Sequence, residues 1–302
     1  MIKCLNAANG ENWTLYNGDC IEVLAQFPDN SVDLSVFSPP FVSLYTYSDS
    51  TRDMGNCASL DEFADGYHYL AAHLFRIMRP GRIVAVHCVD IPTTKWKDGR
   101  IGLADFPGAL IRAHEAEGMI YHSRITIWKD PVTEMQRTKA LGLLWAQIRK
   151  DSCRSRMGLP DYVLLFRKPG ESTDPGVVPV THTKESFPVE QWQEWASPVW
   201  MTVDQGRTLN CRIAREEDDE RHMCPLQLDT IERLVTLYSN PGDVVLSPFG
   251  GVGSEGVGAL SLGRKFVGVE LKPSYYDLAV KYLKEESWNP QVGLFGKKTV
   301  GG

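Results

Sequence analysis

No run of about 18 apolar residues occurs in this chain, so no membrane-spanning helix is expected. No apolar signal core follows Met1-Ile2-Lys3-Cys4-Leu5-Asn6. The seven cysteines, at 4, 20, 57, 88, 153, 211 and 224, include no Cys-x-x-Cys pair. Neither a zinc ribbon nor a disulfide framework is therefore predicted, no metal site is expected, and a reducing cytoplasm fits the thiols. Internal repeats are absent as well. Positive charge is in deficit: the net charge of -6 excludes indiscriminate coating of nucleic acid. A local basic face can still contact phosphates.

What is present is an alternation of strand-like and helix-like segments, which predicts an α/β sheet. Strands are expected at Thr14–Tyr16, Val32–Phe37, Arg82–Cys88, Tyr121–Trp128, Tyr162–Phe166, Asp243–Leu246 and Lys265–Val269. Helices are expected near Ile21–Gln26, Leu60–Met78, Phe106–Glu117, Pro225–Tyr238 and Ser274–Glu285. Phe63, Tyr67, Leu70, Leu74 and Ile77 mark the buried stripe of the second. From 170 to 222 the rhythm breaks into Pro- and Trp-rich clusters and the acidic run Glu216–Glu220. Domain boundaries are expected there: a catalytic half over 1–169, an inserted module over 170–222, and a second half over 223–302.

Two motifs stand at strand ends. Val32–Phe37 runs into Ser38-Pro39-Pro40-Phe41, and Asp243–Leu246 runs into Ser247-Pro248-Phe249-Gly250-Gly251-Val252-Gly253-Ser254. A strand, then glycines, then a helix lets the backbone approach a ligand closely, with Gly251 and Gly253 leaving room where a Cβ would stand. Glu270 ends the next strand, where a carboxylate suits ribose hydroxyls or caps the following helix. Ser38 and the Pro39 carbonyl offer two acceptors for the hydrogens of a planar amine. Two prolines stiffen that loop, and Phe41 can stack on a base. A plain proline turn is the alternative.

Together these segments resemble the beta class of amino-methylating DNA methyltransferases. The likeness extends through Gly263–Glu270, the helix after Cys224-Pro225-Leu226, the helix and strand over Leu74–Val86, and Ile125-Thr126-Ile127-Trp128-Lys129. The resemblance implies a Rossmann-like α/β sheet with circularly permuted motif order and an inserted target-recognition module. It implies S-adenosylmethionine as cofactor, held by Asp19, Ser247, Pro248, Phe249, Gly251, Gly253, Ser254 and Glu270. Ser38, Pro39, Pro40 and Phe41 form the implied catalytic motif. Asn17-Gly18-Asp19 resembles the family's adenine-edge segment, and also suits a simple turn. The family has Asp where this chain has Ser247, and Thr pairs where it has Ser254-Glu255. Glu255 is a candidate to compensate for the missing charge.

Carbon-5 cytosine chemistry needs a nucleophilic Cys after Pro. Here Cys224 precedes Pro225, and no Pro-Cys dipeptide exists. Glutamine methyltransferases of release factors carry Asn before their prolines and the glycine loop first, so they disagree in both respects. Ser-Pro-Pro leans toward cytosine N4 over adenine N6, and a cofactor-poor DNA-binding relative is the reading from another class. The implied partner is double-stranded DNA. A homodimer and a cognate restriction enzyme are left open. The basic stretch containing Arg137, Lys139, Arg149, Lys150, Arg154, Arg156, Arg167 and Lys168 is the expected phosphate footprint, or else an ordinary solvated surface. Arg207, Asn210 and Arg212 are candidate base-edge readers within the inserted module.

Overall fold

Every residue of Val32–Phe37 is buried, as in a strand covered on both faces. This strand lies near the middle of the sheet. The computed structural model describes residues 2–41, 54–93, 95–138, 141–211 and 225–287. Its strands are β1 (Asn6–Asn9), β2 (Trp13–Asn17), β3 (Val32–Phe37), β4 (Met78–Cys88), β5 (Ile91–Thr93), β6 (Gly102–Ala104), β7 (Ile120–Ile127), β8 (Asp161–Arg167), β9 (Val199–Trp200), β10 (Val244–Ser247) and β11 (Lys265–Glu270). The helices are α1 (Cys20–Leu24), α2 (Leu60–Ile77), α3 (Lys95–Asp98), α4 (Phe106–Ala116), α5 (Pro131–Thr138), α6 (Trp145–Lys150), α7 (Val189–Trp195), α8 (Leu228–Tyr238), α9 (Ser254–Ser261) and α10 (Pro273–Ser287).

Nine strands form one sheet in the order β1-β2-β11-β10-β3-β4-β8-β7-β9, with β5 and β6 in a separate hairpin. The run β2-β11-β10-β3-β4 is parallel, and β8 is antiparallel to both β4 and β7. Ligands bind outside the carboxyl ends of such parallel strands. Pairing of β10 with β3 sets Val245 against Leu34 and Leu246 against Ser35. The two motifs therefore leave adjacent strands at the same end of the sheet. The reversal of β8 brings its first residue, Asp161, to that end too.

Alternation along the strands divides the core. Val84, Val86, Leu164 and Phe166 enter one cluster with Phe63, Tyr67, Leu74 and Phe106. Ile83, Ala85, Val163 and Leu165 enter the other with Trp200, Ile231, Leu234 and Phe266. Side chains of period two cannot do otherwise when helices cover both faces. The start of α2 is fixed by Ser59, whose hydroxyl accepts from Glu62 N at 3.1 Å. Glu62 Oε2 reciprocates by accepting from Ala58 N at 2.7 Å.

The described part of the irregular segment, residues 170–211, touches the sheet at two places. Its first part packs at the far end of the sheet from Ser38: Thr181 N donates to Asn240 Oδ1, and Asn240 Nδ2 to the Pro179 carbonyl. Then β9 joins the main sheet beside β7 and carries the chain to the Ser38 end. Through β9 the irregular stretch shares backbone bonds with the main sheet. No helix among the described residues is long and apolar enough to cross a membrane.

Candidate active site

Ser38 is half-buried at the end of β3, and the two prolines behind it are buried. Its Oγ lies 2.6 Å from His87 Nδ1, at the end of β4. His87 Nε2 stands 3.2 Å from Asp161 Oδ2. Asp161 Oδ1 receives Lys129 Nζ at 2.5 Å. Burial alone pushes the Asp161 carboxyl up, but His87 and Lys129 outweigh it and hold the group at about 2. Asp161 is 4% exposed, so this is a buried carboxylate kept charged by its partners. Phe41 packs edge-on to Phe106 at 5.8 Å and lies 6.5 Å from the His87 ring. Sequence reading missed His87, Lys129 and Asp161. The available signal was positional, since each lies at or just beyond a strand terminus facing Ser38.

Ser247 ends β10 completely buried, with no partner for its Oγ, and Ser254 at the start of α9 is likewise buried and unpartnered. Buried hydroxyls left unpaired are costly, so they mark a place built for a polar ligand. Glu255 beside them is 5% exposed. Burial, reinforced by the Glu270 charge, pushes its carboxyl up to about 8. These groups suit the charged, polar end of an amino-acid-like ligand. Pro248 is buried, and the Phe249 ring packs 5.7 Å from Phe37, tying the glycine loop to β3.

The two glycines differ in their reasons. Gly251 has φ of 51°, and a Cβ there would meet nothing within 4 Å, as at an open cradle. Gly253 has φ of 92°, and a Cβ would press on Ala279 of α10 at 3.2 Å. Helix packing thus by itself requires room at Gly253. Glu270 Oε2 accepts from Gly251 N and Oε1 from Lys272 N, both at 2.7 Å. The carboxylate braces the loop and caps the approach to α10, one of the two roles open to it. Asp19 likewise serves as a cap: its Oδ1 accepts from Ile21 N at 2.8 Å and Glu22 N at 3.2 Å.

The basic footprint is reduced. Lys168 bonds Asn30 Oδ1 and the carbonyls of Arg76 and Met78, while Arg167 bonds the Gly170 carbonyl and Glu171. Both lie at the opposite end of the sheet because β8 runs away from the site. Arg149, Lys150 and Arg154 are exposed and Arg156 half-buried, with no ion pair among the described residues. Trp145 and Met157 stand among them at 72% and 76% exposure. The Arg137 side chain, Lys139 and Arg212 lie outside the described residues. Arg207, expected to read bases, is instead clamped by Asp229 at 2.7 Å and by both Glu232 oxygens at 2.6 Å. Its guanidinium is committed to the start of α8. Asn210 is exposed, and its carbonyl accepts from Tyr282 Oη.

A family model described as DNA methylase, of the N6 and N4 type, matches residues 32–281. The Type II methyltransferase M.BglII of Bacillus subtilis is 26% identical over 274 residues, covering 90% of this chain and 69% of that protein. A candidate DNA modification methylase from Thermus thermophilus, solved in complex with S-adenosyl-L-methionine, superposes with a TM-score of 0.64 at 25% identity. The match covers 91% of this chain and 96% of that one. The cytosine-N4-specific PvuII DNA methyltransferase shares the fold, with a TM-score of 0.63, 17% identity and coverage of 97% and 89%. With a match that runs from β3 into α10 and holds both motifs, this chain belongs to the N6/N4 DNA methylase family.

Proposed function

We propose that the chain transfers a methyl group from S-adenosylmethionine to the exocyclic N4 amine of a cytosine turned out of duplex DNA. The observation that carries this reading is the placement of Ser38, half-buried, at the end of β3 beside the β10 glycine loop. An amine conjugated with a ring is a poor nucleophile. Acceptors at Ser38 Oγ and the Pro39 carbonyl take its two hydrogens and localise the lone pair. The stiff Pro39-Pro40 loop holds them before the substrate arrives. S-adenosylmethionine supplies an electrophilic methyl group on a sulfonium. Ser247, Ser254 and Glu255 would hold its amino-acid end, and Glu270 with the Gly251 backbone would face its ribose. Phe41 supports the extruded base, and Arg149, Lys150, Arg154 and Arg156 neutralise phosphates.

Incubating the protein with unmethylated genomic DNA and the cofactor, then digesting to nucleosides for mass spectrometry, tests the base. N4-methyl-deoxycytidine is expected, and N6-methyl-deoxyadenosine alone would refute the cytosine assignment. The uncharged Ser247 favours one second reading, a DNA-binding relative with little cofactor affinity. Calorimetric titration with S-adenosylmethionine separates the two, since the second reading expects no measurable heat of binding.

A further inference from the structure

Ser38, His87 and Asp161 stand in the order of a hydrolytic triad, yet the local backbone forbids that use. Acyl transfer needs N–H donors beside the nucleophile to hold an oxyanion, usually including the residue after it. The residues after Ser38 are Pro39 and Pro40, which have no N–H. What remains is a route for a proton. We infer that His87, oriented by Asp161 and Lys129, receives through Ser38 the proton that the methylated amine must release. This rests on the amino-methylation reading above.

Atoms and charges balance in this step. The amine lone pair forms the N–C bond as the S–C bond breaks, and the electrons of the broken bond stay on sulfur. The nitrogen then carries a positive charge and one hydrogen too many. That proton passes to Ser38 Oγ while the Ser38 hydroxyl proton passes to His87 Nδ1. The imidazolium now faces Asp161, a carboxylate already held charged in a buried place. Water removes the proton from Nδ1 once the product has left.

Ser38 is the catalytic residue here, and His87 and Asp161 are positioning residues that act through it. The Asp161 carboxylate 3.2 Å from Nε2 favours the ring hydrogen on that nitrogen, which leaves Nδ1 to accept from the Ser38 hydroxyl at 2.6 Å. Lys129 neutralises the second carboxylate oxygen, so Asp161 orients the ring without removing its proton. Other groups reach this end of the sheet as well. The Phe41 ring comes from the Ser38 loop. Tyr162 comes from β8, and Arg124 of β7 stacks on it at 5.0 Å. Asp90 follows β4; burial and then Asp105 push its carboxyl up. Any pH effect must be assigned against these.

The test is single-turnover transfer of tritiated methyl from S-adenosylmethionine to unmethylated genomic DNA, across pH, with calorimetry for cofactor affinity and a melting scan. His87→Asn keeps an acceptor near Ser38 but cannot take a proton. It should lower the rate about 100-fold, leave cofactor Kd within about twofold, and remove the one-proton acid limb of the wild-type profile. His87→Gly should regain rate with added imidazole. Asp161→Asn, the second variant, should slow transfer without weakening the cofactor. A folded His87→Asn protein with wild-type rate and acid limb overturns the relay. Slowing matched by lost cofactor binding, with no imidazole rescue, marks the cluster as structural and also overturns it. A wild-type chain that binds cofactor but labels no DNA sinks the amino-methylation reading, and the relay with it.

Discussion

The two ends of the parallel sheet treat charge in opposite ways. At the amino ends of the strands, Arg82 is 3% exposed and lies 3.0 Å from Asp243 and 3.3 Å from Asp33. Asp33 also accepts from Val244 N at 2.9 Å and meets Arg79 at 3.4 Å. Lys168 is likewise committed, to three oxygens. Thus three strand starts, β3, β4 and β10, are tied together by ion pairs. At the carboxyl ends, the Ser247 and Ser254 hydroxyls are buried without partners, and Glu255 favours its proton. The cations from Arg149 to Arg156 have no acid paired with them among the described residues. One end pairs its charges with one another, while the other, beside the Lys129–Asp161 pair, keeps buried hydroxyls without protein partners.

Substitutions at the two ends should therefore diverge. The largest effect is expected from Arg82→Ala, which removes the buried guanidinium that joins Asp33 to Asp243. Denaturant unfolding should show a loss of about 3–5 kcal/mol; a loss below about 1 kcal/mol would mean that the pairing end is not the anchor. Ser38→Ala, at the other end, should leave the melting temperature near wild type and lower turnover about 100-fold, near 2.7 kcal/mol. A change within about twofold would remove Ser38 from the chemistry.

Glu255→Gln sharpens the contrast through pH. The folded protein keeps the Glu255 proton up to about 8, whereas the unfolded chain releases it near 4.5. Between those values the folded state binds more protons, so this group makes stability fall as pH rises. The Gln variant should gain stability over wild type at pH 9 and little at pH 4, while its cofactor affinity falls. Equal melting shifts at both pH values would show Glu255 to be ordinary. The smallest effects belong to exposed arginines. Arg154→Ala should lower the salt slope of DNA binding by about 1. Arg207→Ala should cost about 0–1 kcal/mol of stability and leave sequence preference intact. A relaxed base preference would restore Arg207 as a reader.

The periodic stripe Phe63–Ile77 and the unbroken apolar run of β3 are legible because burial imposes one spacing per element type. The glycine loop and Ser38 are legible because each motif is contiguous. The separation of 49 positions from Ser38 to His87, and the further stretch to Asp161, carry no pattern that joins them. Arg207 illustrates the reverse case. In sequence it stands in an irregular stretch as an available cation, and only the start of α8 supplies the two acids that clamp it.

The sequence by itself determined the α/β alternation, both strand-end motifs and the surplus of cations between 149 and 156, since local spacing and composition are enough for each. Only the tertiary structure decided that β10 pairs with β3, which sets two motifs more than 200 residues apart side by side. It also decided that the antiparallel β8 delivers Asp161 to the Ser38 end and carries Arg167 and Lys168 away from it. The physical reason is that strand direction and sheet order are set by which apolar faces can be buried together. Polar side chains at the strand ends follow wherever that packing takes them.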